Sequence, residues 1–141
     1  MGRTLSTEAI QHIGVFEAVT DASATDCVID DEFDRIVFVV PPGEMATAIG
    51  PGGGTVRRLE ERLGCVVELV EGAESAEAFV ANALSPAAVS HVTVSENETT
   101  VAYAEVPDAD RGAAIGAGGR NIEMASRLAN RHFGIDRVEL T

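Results

Sequence analysis

VPPGEMATAIGPGGGTV, from Val40 to Val56, is answered sixty-six residues later by VPDADRGAAIGAGGRNI, from Val106 to Ile122. At that constant offset seven positions are identical: Val40/Val106, Pro41/Pro107, Ala48/Ala114, Ile49/Ile115, Gly50/Gly116, Gly52/Gly118 and Gly53/Gly119. The shared core is I-G-x-G-G-x-x-(V/I), set between a strand-like run and a helix-like run. Solenoid repeats are mostly ~20–50 residues long, so a longer period marks a duplicated domain.

Working outward, 141 residues suit two small domains. The boundary falls in EGAESA, about residues 71–76, which gives domains 1–72 and 73–141. The two halves repeat one order of elements. Ser6 is placed to cap a helix over about 6–19, with Ala9, Ile10, Ile13 and Phe16 at helical spacing. CVID and RIVFVV flank DEFD as a hairpin, and Pro41-Pro42 ends its second strand. Glu44–Ile49 makes a short helix. The glycine run follows, then a second helix with Val56, Leu59 and Leu63 on one face and Gly64 at its end. Val66–Val70 closes the half as a strand.

In the second half Ala76, Phe79, Val80, Ala83 and Leu84 give a helix stopped by Ser85-Pro86. VSHVTVS and TTVAYAEV form the hairpin around ENE. Asp108 or Asp110 is expected to cap the short helix ending at Ile115. The last helix turns Ile122, Ala125, Leu128, Ala129 and Phe133 inward, Gly134 ends it, and DRVEL is the last strand. Each half therefore reads α-β-β-α-α-β, an α+β fold.

The charge is unusual: 23 acidic residues against 10 basic ones, a net −13, with every basic residue an arginine. Strong negative charge argues against nucleic-acid partners in ordinary cytoplasm, and against a packed core when hydrophobicity is low. Here the chain is 45% hydrophobic and regularly patterned, so disorder is excluded. A lysine-free acidic surface suits a solvent of molar salt, where the Debye length is about 3 Å and self-repulsion is screened. No window approaches the ~18 apolar residues of a membrane span. The N-terminus MGRTLSTEAIQH lacks the apolar core of a signal peptide, so a cytoplasmic protein with no membrane partner is expected.

Catalytic and metal chemistries find little support. Cys27 and Cys65 lack C-x-x-C spacing and read as buried reduced thiols. His12, His91 and His132 form no ligand cluster. Thr55 and Asn121 stand where a dinucleotide fingerprint needs its third glycine, and a Walker A motif or a Schiff base needs a lysine that the chain lacks. The carboxylates are scattered and form no acid/base pair. No enzyme, cofactor or metal is expected.

The glycine runs do support a binding chemistry. A short helix ends, the chain reverses within four residues, and a new helix starts. Glycine tolerates the positive φ and close backbone approach that this needs. The N-terminus of the new helix carries partial positive charge and suits phosphate.

The order α-β-β-α-α-β, with I-G-x-x-G-x-x-(V/I) between the third and fourth elements, resembles the prokaryotic type (type II) of KH domain, here in tandem. In that family the loop clamps about four unpaired nucleotides by their backbone. The whole-chain pattern, with IGPGGGTVRRLEERLG in one half and IGAGGRNIEMASRLANRHFGID in the other, resembles the archaeal NusA family. Bacterial members carry additional domains, for which no room is expected here. The resemblance implies binding of single-stranded RNA, the nascent transcript, in transcription elongation or termination, with RNA polymerase as a further candidate partner. It places the RNA-binding loops at Gly50, Pro51, Gly52, Gly53 and Gly54, and at Gly116, Ala117, Gly118 and Gly119. Ile49, Val56, Ile115 and Ile122 become groove floor or core. Arg57, Arg58 and Arg120, just beyond the loops, become phosphate contacts, with surface charges balancing Glu60 and Glu61 as the other reading of Arg57-Arg58. Pro51 and Ala117 stand where the family often has lysine. A ribosome-associated or RNA-processing KH protein is the alternative within this class. A protein-interaction scaffold is the alternative outside it.

Overall fold

The computed structural model describes residues 4–141, so residues 1–3 of the expected first domain lie outside the described residues. The chain divides into two compact units, Thr4–Gly72 and Ala73–Thr141. Each is built from one three-stranded sheet and its helices.

In the first unit helix α1 (Thr7–Thr20) leads into strands β1 (Asp26–Asp30) and β2 (Arg35–Val40). The short helix α2 (Met45–Ile49), helix α3 (Gly54–Leu63) and strand β3 (Val66–Glu71) follow. Ser6 caps α1 as expected: its Oγ accepts from the Ala9 N–H at 3.0 Å. Strand β2 lies in the centre, antiparallel to β1 and parallel to β3. Parallel pairing requires a crossover, which α2 and α3 supply. Ile36, Phe38 and Val40 of β2 join Ala9, Phe16, Ala48 and Leu59 in one core, with the Phe16 and Phe38 rings 4.6 Å apart.

The DEFD hairpin has a specific anchor. Asp30 accepts from the Glu32 and Phe33 amides and from Arg35 Nε at 2.8 Å, while Arg35 Nη1 reaches Glu68 Oε1 at 2.6 Å across the sheet. Burial pushes the Asp30 carboxyl up, but the Arg35 and amide hydrogen bonds outweigh it and hold the pKa below the usual carboxylate value.

The second unit repeats the plan with helix α4 (Ala76–Ala83) and strands β4 (His91–Glu96) and β5 (Thr100–Glu105). Helix α5 (Arg111–Ile115), helix α6 (Arg120–Phe133) and strand β6 (Arg137–Leu140) complete it. Strand β5 is central, antiparallel to β4 and parallel to β6. Ala104 occupies the place of Phe38, so bulk comes instead from the helices. Phe79 of α4 stacks on His132 at 4.9 Å and meets Phe133 at 5.4 Å. Helix α6 has 14 residues against 10 in α3, and its extra turn carries those two rings.

Several sequence expectations change. Ile10 is on the solvent side of α1, 56% exposed, because Ala9, Phe16 and Thr20 take the inward stripe. Cys65 is only half-buried, in the bend between α3 and β3, whereas Cys27 is buried in β1. On α6, Met124 joins Ala125, Leu128 and Ala129 in the core, while Ile122 and Phe133 are half-buried. Asp110 holds the N-cap position of α5, yet neither it nor Asp108 makes a side-chain cap. A one-turn 3-10 helix, Asp108–Asp110, runs directly into α5, so backbone turns replace the cap. No described helix is long and apolar enough to cross a membrane.

Candidate nucleic-acid interface

Between α2 and α3, and again between α5 and α6, the chain turns through a one-turn 3-10 helix: Pro51–Gly53 and Ala117–Gly119. The two turns have nearly the same backbone. Gly50 stands at φ 75°, ψ 167° and Gly116 at φ 78°, ψ 165°. Gly52 and Gly118 have φ of 59° and 66°, and Gly53 and Gly119 have φ of 75° and 81°. The first glycine is needed twice over. Its dihedrals belong to a region essentially restricted to glycine. A Cβ there would also stand 2.1 Å from Thr55 Oγ1 in the first turn and 2.8 Å from Asn121 Cβ in the second. Seven identities in the sequence therefore encode one backbone shape built twice.

Ile49 and Ile115, immediately before each turn, are 37% and 40% exposed. They are surface rather than core. Val56 and Ile122, one turn into the following helices, are half-buried. An apolar side chain thus stands in solvent beside each glycine turn.

The amides at the turns are less available than the sequence suggests. Gly53 N–H donates to the Gly50 carbonyl and Gly119 N–H to the Gly116 carbonyl, both at 3.0 Å. Gly54 N–H donates to Pro51 O and Arg120 N–H to Ala117 O. These four amides close the 3-10 turns.

The arginines supply what proline and alanine leave out. Arg57 folds back from α3, and its Nη2 donates to Gly52 O at 2.7 Å. The guanidinium therefore lies over the tip of the first turn. Glu60 does not pair with it; its Oε2 accepts from Val67 N–H at 2.9 Å instead. Arg58 parts company with Arg57: it points to the α1 side of α3 and lines a cleft there with Arg62. Arg120 is exposed at the start of α6. Glu123 takes the place of Arg57 in the second copy.

Asn121 has a role that no sequence motif signals. Its Nδ2 donates to Leu84 O and Ala113 O, each at 3.1 Å, and reaches Ser85 O at 3.4 Å. It ties the start of α6 to α4 and α5 and so fixes the second turn. Thr55 takes the same position in the first copy, buried under Gly50. Among the described residues no group of acidic, histidine or cysteine side chains is placed to hold a metal ion.

Comparison with known proteins agrees with this geometry. Residues 10–74 match the KH domain family model, and residues 76–141 match the model of the NusA-like second KH domain. The chain is 64% identical over 137 residues to the "Probable transcription termination protein NusA" of Halobacterium salinarum, covering 97% of each chain. It is 60% identical to the protein of the same name from Halococcus morrhuae, again over 97% of each. The Methanocaldococcus jannaschii protein of that name is 33% identical, over 96% of this chain and 74% of that one. Among solved structures, the crystal structure of APE1850 aligns with a TM-score of 0.87 at 33% identity, covering 97% of this chain and all of that one.

Proposed function

The chain belongs to the NusA-type transcription termination proteins with tandem KH domains, and on that premise we propose that its two glycine turns hold single-stranded RNA during transcription. The observation that carries the reading is the duplicated turn with an exposed isoleucine beside it. Glycines at the tip keep side chains out of the way of a sugar-phosphate backbone. Ile49 and Ile115 offer apolar surface to an unstacked base. Domain 1–72 contributes Ile49, Gly50, Pro51, Gly52, Gly53, Gly54 and Arg57; domain 73–141 contributes Ile115, Gly116, Ala117, Gly118, Gly119 and Arg120. Arg58, turned toward α1, leaves the set. The protein acts by binding rather than by catalysis, and the nascent transcript is the RNA within reach of a factor of this family. RNA polymerase is the natural neighbour at that place.

The acidic surface belongs to the same picture. With relatives in Halobacterium salinarum and Halococcus morrhuae, the −13 charge reads as adaptation to molar salt. RNA binding to single strands loses roughly 0.7 log unit per phosphate contact for each tenfold rise in salt. One arginine per turn bounds that loss at about 1.4 log units, where the counterion argument applies. Screening of the protein's own negative field works the other way.

The test is an RNA affinity titration from ~0.2 to 2 M KCl on the folded protein, where counterion release sets the scale. A flat or shallow dependence is expected. Affinity falls in Pro51→Asp/Gly52→Asp and in Ala117→Asp/Gly118→Asp, which place negative charge where phosphates sit. Unchanged affinity in both double variants refutes the site and leaves the interaction-scaffold reading. A slope steeper than about 2 log units per decade means further arginine–phosphate pairs outside the turns.

A further inference from the structure

A second feature of the first unit has no place in RNA binding by the turns. On the side of α3 that faces α1 lies a cleft of about 550 Å³ lined by Ala18, Val19, Arg58, Glu61 and Arg62. Arg58 and Arg62 are both exposed and stand four residues apart on α3. Neither forms an ion pair among the described residues, although carboxylates outnumber cations 23 to 10 in this chain. Two like charges at that helical spacing disfavour the helix slightly, and a glutamate at either place would favour it. The dipole at the end of α3 explains Arg62, which lies in its last turn, but not Arg58.

We propose that this cleft docks an acidic segment of a protein partner. Arg58 and Arg62 each take a carboxylate, and the exposed ledge of Ala18 and half-buried Val19 seats an apolar side chain between them. Glu61 shares the lining and accepts a peptide N–H, and two observations select a peptide over a nucleic acid. The lining holds no aromatic ring on which a base would stack. The cleft mixes cations with apolar surface, and at molar salt only direct guanidinium–carboxylate forks and apolar contact retain strength, because the screening length falls to about 3 Å. This site is independent of the RNA-binding reading and stands or falls separately.

The experiment uses the full chain, labelled with ¹⁵N, in molar KCl. The probes are a series of acetylated peptides of aspartate and leucine with the carboxylate spacing varied, the same peptides with asparagine for aspartate, and a short single-stranded RNA. At least one aspartate–leucine peptide is expected to shift saturably the side-chain N–H signals of Arg58 and Arg62 and the amides of Ala18 and Val19. The asparagine counterpart binds at least about tenfold more weakly, the factor that one charge-assisted contact provides. Arg58→Gln/Arg62→Gln loses the peptide by a similar factor and keeps its RNA affinity. Ala18→Glu, which fills the ledge and sets a carboxylate of the chain's own beside the two arginines, loses the peptide as well. The proposal is overturned if no peptide in the series moves those four residues, or if the variants bind as well as the parent. It is equally overturned if the RNA shifts the Arg58 and Arg62 signals and the double variant loses RNA, since the cleft is then a nucleic-acid surface.

Discussion

Gly50→Ala tests whether the glycine turn is a structural necessity or only an absence of obstruction. Gly50 lies at φ 75°, ψ 167°, where an L-residue costs about 1–3 kcal/mol. The new methyl would stand 2.1 Å from Thr55 Oγ1, 2.6 Å from Thr55 Cβ and 2.9 Å from Thr55 N. Such overpacking adds about 1–3 kcal/mol, so the total is about 2–6 kcal/mol. Against the roughly 5–15 kcal/mol of an ordinary domain, only the upper end of that cost approaches unfolding. Gly52→Ala provides the control two residues away. Its φ is also positive, 59°, but nothing lies within 4 Å of the added carbon. A left-handed alanine costs about 1–2 kcal/mol there, and reduced freedom of the unfolded chain returns about 0.4–1.

Gly116→Ala falls between the two. It shares the dihedrals of Gly50, but its closest approaches are 2.8 Å, to Asn121 Cβ and N. The expected order of destabilisation is Gly50→Ala, then Gly116→Ala, then Gly52→Ala. Guanidinium or urea unfolding followed by circular dichroism at molar KCl measures it. Adding Thr55→Ala to Gly50→Ala removes the 2.1 Å clash but not those with Cβ and N, so recovery is partial. If Gly50→Ala costs no more than Gly52→Ala, the turn relaxes freely and its backbone shape is not what the repeat preserves.

Arg57→Gln removes the guanidinium that donates to Gly52 O, an exposed contact, so stability changes by less than about 1 kcal/mol. RNA affinity falls several-fold and the salt slope flattens, in affinity titrations at two or more KCl concentrations; an unchanged slope shows that Arg57 meets no phosphate. Asn121→Ala removes the donor shared by the Leu84 and Ala113 carbonyls, in part-buried and exposed contacts, and costs about 0.5–1.5 kcal/mol in denaturant unfolding, with Asn121→Asp no better because it cannot donate. An alanine variant as stable as the parent refutes the tie to α4 and α5. Asp30 has a folded pKa below its unfolded value of about 3.9. Its contribution to stability is therefore complete above about pH 4 and is lost as pH falls through the lower folded pKa. Asp30→Asn should flatten that acid limb in unfolding free energies measured from neutral pH downward; parallel curves for parent and variant refute the Arg35–Asp30 anchor.

Sequence alone determined the duplication, the element order and the two glycine turns. Those signals are local or periodic: Ser6 caps by bonding an amide three residues on, Gly64 and Gly134 end helices through left-handed backbone, and a repeated I-G-x-G-G needs no long-range partner to be read. Exposure was a different matter. Ile10, Ile49 and Ile115 have the same hydrophobicity as core residues, and only packing decided that Ala9, Ala48 and Ala114 would take the buried places. Adjacent residues on α3 went separate ways for the same reason. A helix turns 100° per residue, so Arg57 reaches the glycine turn while Arg58 faces α1. The availability of the loop amides depended on tertiary detail as well, because closing a 3-10 turn spends the N–H groups of Gly53 and Gly119 on the carbonyls of Gly50 and Gly116. Periodicity places a residue on an element; which neighbour its side chain or amide meets is set by elements far along the chain, and no local pattern encodes that.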